Sequence, residues 1–141
     1  MKVLVDTCIW SYAFRRSKPA SEQDQIIREL RQLIRDARVQ MAGPIRQEIL
    51  SGIRDNAQFI VLRDHLRDFP DLETASADHE RAAEMFNGLR AKGIQGSNTD
   101  FLLCALSERT GMSIFTTDDD FTLFHKHLPI KLHRAKHQRN I

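Results

Sequence analysis

The stretch KVLVDT, Lys2 to Thr7, decides the fold, because it reads as a short apolar strand that ends on an acid. Its valines favour strand structure, and Asp6 follows them directly. In open parallel sheets, ligands bind beyond the carboxyl ends of the strands. We therefore expect Asp6 at the mouth of a site. The alternative role for Asp6 is to cap a helix that begins after the strand.

Outward from this strand, strand-like and helical patterns alternate to the end of the chain. Strands are predicted at 39–42, 113–116 and 130–132, with a weaker one at 72–74. Helices are predicted at 8–15, 21–37, 44–53, 59–69, 76–90 and 98–110. Such alternation predicts a single α/β domain over residues 1–141, with a parallel sheet and helices on its faces.

The composition is that of an ordinary globular chain. It has 141 residues, of which 41% are hydrophobic and 28% charged, and no apolar run approaches the roughly 20 residues that span a bilayer. The first ten residues lack the pattern of a signal peptide, so we expect a cytoplasmic protein that is not membrane-bound. Cys8 and Cys104 are predicted to be free thiols, and Cys104 lies in the apolar run FLLCAL, where a core role is expected.

The net charge of +2 is unevenly distributed. Residues 125–141 contain five Lys or Arg, four His and no acid, and the rest of the chain has 16 basic and 19 acidic residues. A basic C-terminal segment on a slightly acidic body is typical of nucleic-acid binding. An ordinary solvated terminus is the alternative explanation.

Four acids stand where apolar stretches meet turns or helix starts: Asp6, Glu48, Asp100 and Asp118. If the fold gathers them, they form a pocket that cannot stay ionised without a cation, because like charges raise one another's pKa. Carboxylate oxygens are the ligands that Mg²⁺ and Mn²⁺ prefer. The pattern therefore predicts metal-dependent chemistry on a phosphate.

Each acid also has an ordinary explanation. Asp100 in a first helical turn gains from the helix dipole whatever else it does. Glu48 could be an exposed helix residue, and Asp118 could belong to a turn cluster with Asp119 and Asp120. The joint arrangement, rather than any single residue, carries the prediction.

At this point the sequence resembles the PIN-domain ribonucleases. VDTCIW resembles their opening motif, and a helix carrying Glu48, then TDFLLCAL, then FTTDDDF follow in the family's order. The last segment is similar to the family pattern Thr-X-Asp-X-Asp-Phe, from Thr116 to Phe121. The resemblance runs from Lys2 to about Pro129. The small size is similar to that of the VapC toxins of toxin–antitoxin pairs.

The resemblance implies a three-layer α/β/α domain with a mostly parallel sheet of four to five strands. It also implies a Mg²⁺-dependent endoribonuclease, with Mn²⁺ as a possible substitute, in which bound metal activates water for attack on the phosphodiester. The products would carry 5′-phosphate and 3′-hydroxyl ends. The same four acids, Asp6, Glu48, Asp100 and Asp118, would be both the catalytic residues and the metal ligands.

Further roles follow from the same resemblance. Thr7 and Thr116 would be donors that orient the carboxylates. Asp120 would either extend the metal site or face water, and we favour the second. Cys8 departs from the Ser or Asn of many relatives, and a thiol is a weaker donor than a hydroxyl, which puts a polar role at this position in doubt.

RNA requires positive or aromatic surface near the acids. Arg15, Arg16 and Lys18, which follow the first strand, are candidates for this surface beside the basic C-terminal segment. Trp10 and Tyr12 are candidates for base stacking, although a core or interface position is the favoured explanation for Trp10. The resemblance also implies a small antitoxin as partner, and a homodimer.

Three rival functions remain at this stage. One is a PIN-like RNA-processing nuclease without an antitoxin. Another is a non-catalytic binding module for RNA or protein with a degenerate site, which the retention of all four acids disfavours. The third is a phosphatase of the haloacid-dehalogenase type, which needs a second Asp two residues after the first. Cys8 occupies that position, so this rival is disfavoured.

Overall fold

A computed structural model describes residues 1–14 and 21–134, in which short strands alternate with helices. The elements in chain order are β1 (Val3–Val5), α1 (Thr7–Phe14), α2 (Ser21–Arg35), β2 (Val39–Gln40), α3 (Gly43–Leu50), α4 (Asn56–Leu66), α5 (Ser76–Arg90), α6 (Asn98–Thr110), β3 (Ser113–Phe115), α7 (Asp120–His125) and β4 (Lys131–Leu132). They form the three-layer α/β architecture that the resemblance implied.

The centre of the domain is a parallel sheet with the strand order β2-β1-β3-β4. Val3 pairs with Val39 on one side and with Ser113 on the other, and Val5 pairs with Phe115. β1 is completely buried, as a central parallel strand flanked by helices should be. Because all the pairings are parallel, the carboxyl ends of β1 and β3 share one edge.

Several predicted elements differ from the structure. The helix predicted at 44–53 ends at Leu50, and the helix predicted at 21–37 ends at Arg35. The weaker strand at 72–74 does not form; the chain there makes only an isolated bridge from Asp71 to Met41. Pro70 precedes Asp71 and has no N–H that could extend the pairing with the segment at Met41. The helix predicted at 59–69 instead spans Asn56–Leu66, so it both begins and ends earlier than predicted. Arg46 explains this early end, because its guanidinium donates to the Leu66 carbonyl at 3.0 Å and to the carbonyl of Phe69.

Helix α6 is the buried centre of the helical layers, as its continuous apolar run predicted. Its residues from Phe101 to Ser107 are all buried, and α5 packs along it. Gly111 ends the helix in the left-handed conformation, with φ of 76°. At the other end, a Cβ on Gly96 would lie 2.7 Å from the ring of Phe124. Glycine therefore lets the chain close against the aromatic core just before α6 begins.

The basic C-terminal segment is partly built into the domain. Its described part, residues 125–134, includes β4, and the His133 N–H donates to the Ile114 carbonyl at 2.8 Å. The His133 side chain lies 2.7 Å from Glu29 of α2, and both side chains are nearly buried. Residues 135–141 lie outside the described part. Within the described residues, no helix has the length and apolar character needed to cross a membrane.

One ion pair fastens α5 to the end of α6. The Asp78 side chain is only 5% exposed, and Arg109 donates to its two carboxylate oxygens at 2.6 and 3.2 Å. The N–H of Ala75 donates to the same carboxylate at 2.9 Å, at the start of α5. The hydrogen bonds from Arg109 lower the pKa of Asp78 below its usual value, against the opposing effect of burial.

We predict that Asp78→Asn destabilises the protein by about 1–2 kcal/mol at pH 7, because a charge-assisted pair and a helix cap are weakened together. The lowered pKa of Asp78 means that its contribution is complete above the unfolded pKa of about 4 and disappears as the pH falls below it. Urea unfolding of both proteins at neutral and acidic pH measures the difference.

The matched control is Glu80→Gln, which removes an exposed carboxylate from the same helix. It should change the free energy of unfolding by less than about 0.5 kcal/mol. A loss for Asp78→Asn that stays constant into acid would contradict an electrostatic origin.

Candidate active site

Asp6 is the most buried of the four acids, with 7% of its surface exposed. It directly follows β1, and its carboxylate accepts hydrogen bonds from the Thr7 N–H and the Thr116 hydroxyl, both at 2.8 Å. Burial raises the pKa of Asp6, and these two bonds lower it in part. The negative charges of Asp100 and Glu48 raise the pKa further, so the Asp6 carboxylate faces two others.

Thr116 links Asp6 to Asp118. Its hydroxyl donates to Asp6 and also accepts the N–H of Asp118 at 3.0 Å. Asp118 in turn accepts the N–H of Asp120 at 2.9 Å through its Oδ1, within the turn that begins α7. The position of Thr116 follows from the sheet, because it comes immediately after the residue paired with Val5.

Glu48 is connected to the same site through Thr7. It is an exposed residue near the end of α3, and its Oε1 accepts the Thr7 hydroxyl at 2.6 Å. The backbone N–H of Thr7 binds Asp6 at the same time. Thr7, at the start of α1, therefore donates hydrogen bonds to two of the four carboxylates.

Asp100 reaches the site from the first turn of α6. It forms a capping box with Ser97, in which each side chain accepts the other's backbone N–H at 3.0 Å. Burial raises the pKa of Asp100, the bonds to Ser97 oppose that change, and the charges of Asp118 and Glu48 add to it. Asp100 therefore caps its helix and also faces the other acids.

The structure thus brings all four predicted acids to one edge of the sheet. Asp6 interacts electrostatically with Asp100 and Glu48, and Asp100 with Asp118 and Glu48. In the described part of the chain, no three His, Cys, Asp or Glu side chains already stand close enough together to hold an ion. The donor chemistry is entirely hard oxygen, which fits a divalent cation such as Mg²⁺.

The other predicted site residues fall into two groups. Thr7 and Thr116 donate to carboxylates of the site, whereas Asp120 contributes only its backbone N–H and has an exposed side chain. The basic cluster predicted to bind RNA lies outside the described residues: Arg15, Arg16 and Lys18.

Cys8 has polar contacts that sequence reasoning did not foresee. Its sulfur accepts the N–H and the hydroxyl of Thr117, each at 3.4 Å, and lies 3.5 Å from the Thr116 hydroxyl. The Thr117 hydroxyl also lies 3.2 Å from the hydroxyl of Tyr12. A thiol therefore fills the polar position between α1 and the turn after β3. The only sequence signal for this role was its spacing, two residues after Asp6.

Two further residues near the site belong to the core. Trp10 is 2% exposed, donates to the Val5 carbonyl at 3.3 Å and packs edge-on against Phe69, so it is not available to stack on a base. Cys104 is fully buried, as predicted, and burial raises the pKa of its thiol. The charges of Asp100 and Asp6 add to that shift.

Comparisons with known proteins identify the family of the chain. The family model described as the PIN domain matches residues 3–126. Two curated relatives are the VapC ribonuclease Mb1587 of Mycobacterium bovis and the ribonuclease VapC11 of Mycobacterium tuberculosis. Each is 32% identical over 123 residues, which cover 84% of this chain and 88% of the relative.

Two solved structures share the fold. FitAcB from Neisseria gonorrhoeae superposes with a TM-score of 0.69 at 14% identity, over 96% of this chain and 99% of that chain. VapBC2 from Rickettsia felis, bound to a DNA fragment from their promoter, also has a TM-score of 0.69, at 18% identity over 94% and 98%. These likenesses show a shared fold. The match to the family model and the VapC relatives establish that the chain belongs to the PIN domain family.

Proposed function

We propose that this protein is a Mg²⁺-dependent endoribonuclease and the toxin of a type II toxin–antitoxin pair of the VapBC kind. The observation that carries the proposal is the convergence of four carboxylates at the carboxyl ends of β1 and β3, with Asp6 buried among them. The two curated relatives named VapC ribonucleases support the nuclease activity and the toxin assignment.

The residues that would hold the cation are the four acids, Asp6, Glu48, Asp100 and Asp118, with Mn²⁺ as a possible substitute for Mg²⁺. A divalent ion bound there would lower the pKa of water near the phosphodiester and offset negative charge on its oxygens. Burial and the negative charges of Asp100 and Glu48 raise the pKa of Asp6. A bound cation would offset both effects, and this supports the proposed cation site.

The chain's own residues prepare the site for that chemistry. Thr7 and Thr116 fix the orientation of Asp6 and Glu48, and Thr116 also fixes the turn that carries Asp118. The capping box holds Asp100 at the start of α6. Because these donors belong to separate elements, the site is complete only when the whole domain is folded.

The partner proposed for the toxin is a small antitoxin. An open groove of about 390 Å³ lies between the end of α1 and α4, and its lining is mostly apolar: Phe14, Ile53, Ala57, Gln58, Val61, Leu62 and His65. A groove of this character suits the apolar face of a helical segment. We also propose a homodimer and a cytoplasmic location, where RNA and Mg²⁺ are both present.

The main alternative is an RNA-processing nuclease of the same family that has no antitoxin. The neighbouring reading frame distinguishes the two. A short adjacent gene whose product co-purifies with this protein and inhibits its cleavage of RNA is expected of a toxin. An isolated gene would favour the RNA-processing enzyme.

We predict that the protein cleaves single-stranded RNA in the presence of Mg²⁺, or of Mn²⁺, and that EDTA abolishes the cleavage. Asp6→Asn and Asp100→Asn should each lower the cleavage rate by about 100-fold or more, because each removes a charged donor from the cation site. Gel analysis of an end-labelled RNA measures the rates and identifies the ends of the products.

The matched control for these variants is Asp119→Asn. Asp119 is exposed beside Asp118, and none of the described hydrogen bonds involves its side chain. It should retain the rate of the unaltered protein. If Asp6→Asn and Asp100→Asn also retain it, the acids are not the cation site.

A second prediction uses stability instead of activity. In EDTA at neutral pH, Asp6→Asn should raise the unfolding temperature, because it removes a desolvated charge that Asp100 and Glu48 repel. Added Mg²⁺ should then stabilise the unaltered protein, since a ligand that binds the folded state raises its stability. The variant should gain much less.

Differential scanning calorimetry with and without Mg²⁺ measures both effects, and Asp119→Asn again serves as the control. Equal stabilisation of Asp6→Asn and the unaltered protein by Mg²⁺ would show that the ion binds elsewhere.

A further inference from the structure

The turn between β3 and α7 is bonded to helix α1 by the residue that separates Thr116 from Asp118. Thr117 is half-buried, whereas the three acids that follow it are exposed. Its backbone N–H and its hydroxyl both donate to the sulfur of Cys8, each at 3.4 Å. Because two donors of one residue reach the same acceptor, the backbone and the side chain of Thr117 are both held in place. Thr117 is therefore an ordered part of the turn.

Two residues of α1 contact Thr117, and they lie on one face of that helix. Cys8 and Tyr12 are four residues apart, a spacing that makes their side chains neighbours on the helix surface. The Thr117 hydroxyl lies 3.2 Å from the hydroxyl of Tyr12. Since the Thr117 hydroxyl directs its own proton to Cys8, it accepts the proton of Tyr12. This face of α1 therefore holds the turn through a single threonine side chain.

The same contacts lead back to the acids. The Cys8 thiol donates to Asp6 Oδ2 at 3.9 Å and lies 3.5 Å from the Thr116 hydroxyl. That hydroxyl donates to Asp6 and accepts the N–H of Asp118. In the sequence, Asp6 immediately precedes α1 and Asp118 immediately follows Thr117. The helix that begins beside one acid is thus bonded to the turn that carries another.

We propose that Thr117 is a positioning residue, which fixes Asp118 relative to Asp6 and thereby sets the affinity of the acidic site for its cation. This inference rests on the proposed ribonuclease function and deepens it. A ligand group that becomes ordered only when the ion binds loses conformational freedom at that moment, which weakens binding. Hydrogen bonds that orient the ligands beforehand avoid this loss, and removing such bonds weakens metal binding by roughly 10- to 100-fold.

The position allows a direct test, because the hydroxyl of Thr117 can be removed without changing the shape of the side chain. Thr117→Val keeps the branched side chain and removes the hydroxyl that bonds Cys8 and Tyr12. Thr117→Ser keeps the hydroxyl and removes only the methyl group. A positioning role requires the hydroxyl, so the serine variant should resemble the unaltered protein. A residue needed only for packing should tolerate valine better than serine.

The experiment measures the dissociation constant of Mn²⁺ at neutral pH from the electron paramagnetic resonance signal of the free ion. Thr117→Val should raise this constant about tenfold, and Thr117→Ser should change it by less than about twofold. Cys8→Ala removes the acceptor of both Thr117 donors and should also weaken binding, so it tests the proposal if Thr117→Val does not fold. Thermal unfolding in EDTA establishes that each variant is folded at the temperature of the titration.

The matched control is Thr110→Val. Thr110 is half-buried, as Thr117 is, and its hydroxyl also has two partners: it donates to the Leu106 carbonyl at 2.7 Å and accepts the Met112 N–H at 3.1 Å. Thr110 is the last residue of α6, whereas Asp100 lies in the first turn of that helix. Thr110→Val should therefore leave the dissociation constant of Mn²⁺ unchanged, even where it lowers the unfolding temperature.

The outcomes separate this proposal from the ribonuclease proposal. If the unaltered protein binds Mn²⁺ and cleaves RNA, but Thr117→Val and Cys8→Ala bind the ion equally tightly, the positioning role is wrong and the ribonuclease proposal stands. If valine at position 117 weakens binding and serine does not, but no divalent ion supports cleavage, the ribonuclease proposal fails and the positioning role stands.

Three further results would overturn the positioning role. Equal weakening by Thr117→Val and Thr117→Ser would show that packing, not the hydroxyl, matters. Equal weakening by Thr117→Val and Thr110→Val would show that any loosening of the fold reduces the affinity. If Asp6→Asn binds Mn²⁺ as tightly as the unaltered protein, the ion lies outside the acids, and the proposed cation site fails together with the positioning role.

Discussion

The structure depends on the parallel register between β1 and β3. Val5 is paired with Phe115, so the residues that follow each strand, Asp6 and Thr116, emerge side by side at the same edge. The Asp6 N–H continues the pairing by donating to the Phe115 carbonyl at 2.9 Å. A shift of one residue in either strand would turn every side chain to the opposite face and separate Thr116 from Asp6.

The acids at this edge oppose folding, and the rest of the domain compensates for them. Asp6 is buried near like charges, which costs stability while no cation is bound. The compensation comes from the apolar helix α6 and from the ring cluster formed by Phe101, Phe121 and Phe124. The Asp78–Arg109 pair also contributes. Buried carboxylates with raised pKa values are typical of functional sites. Such a site makes the stability of the fold depend on a ligand that neutralises the negative charge.

Much of the fold was predictable because the relevant signals are local. The strand of Lys2–Val5 was identified from its valines and the acid that ends it, and α6 from its continuous apolar run. The weak strand at 72–74 failed because its pairing depends on Met41, a partner thirty residues away. The end of α4 depends on the side chain of Arg46, which local patterns do not reveal.

The site was predictable to a similar extent. The four acids were identified from their positions at element boundaries. The structure brings them to one edge of the sheet, where they interact electrostatically, although no three of the described acids stand close enough together to hold an ion. The links through Thr7 and Thr116 follow from the order of residues after each strand. By contrast, the contacts of Cys8 with Thr117 join residues 109 apart in the chain, so only the folded structure reveals them. Sequence alone could not show that a cavity between α5 and α6 exists, because its walls come from α3, α5 and α6.

The central claim is that the four carboxylates form one cation site. Crystals of the protein grown with Mn²⁺ test it most directly, because manganese is located by its anomalous scattering. The account predicts a peak among Asp6, Glu48, Asp100 and Asp118, with carboxylate oxygens at coordination distances of roughly 2.0–2.6 Å. Manganese bound at other sites, with this edge of the sheet empty, would contradict it.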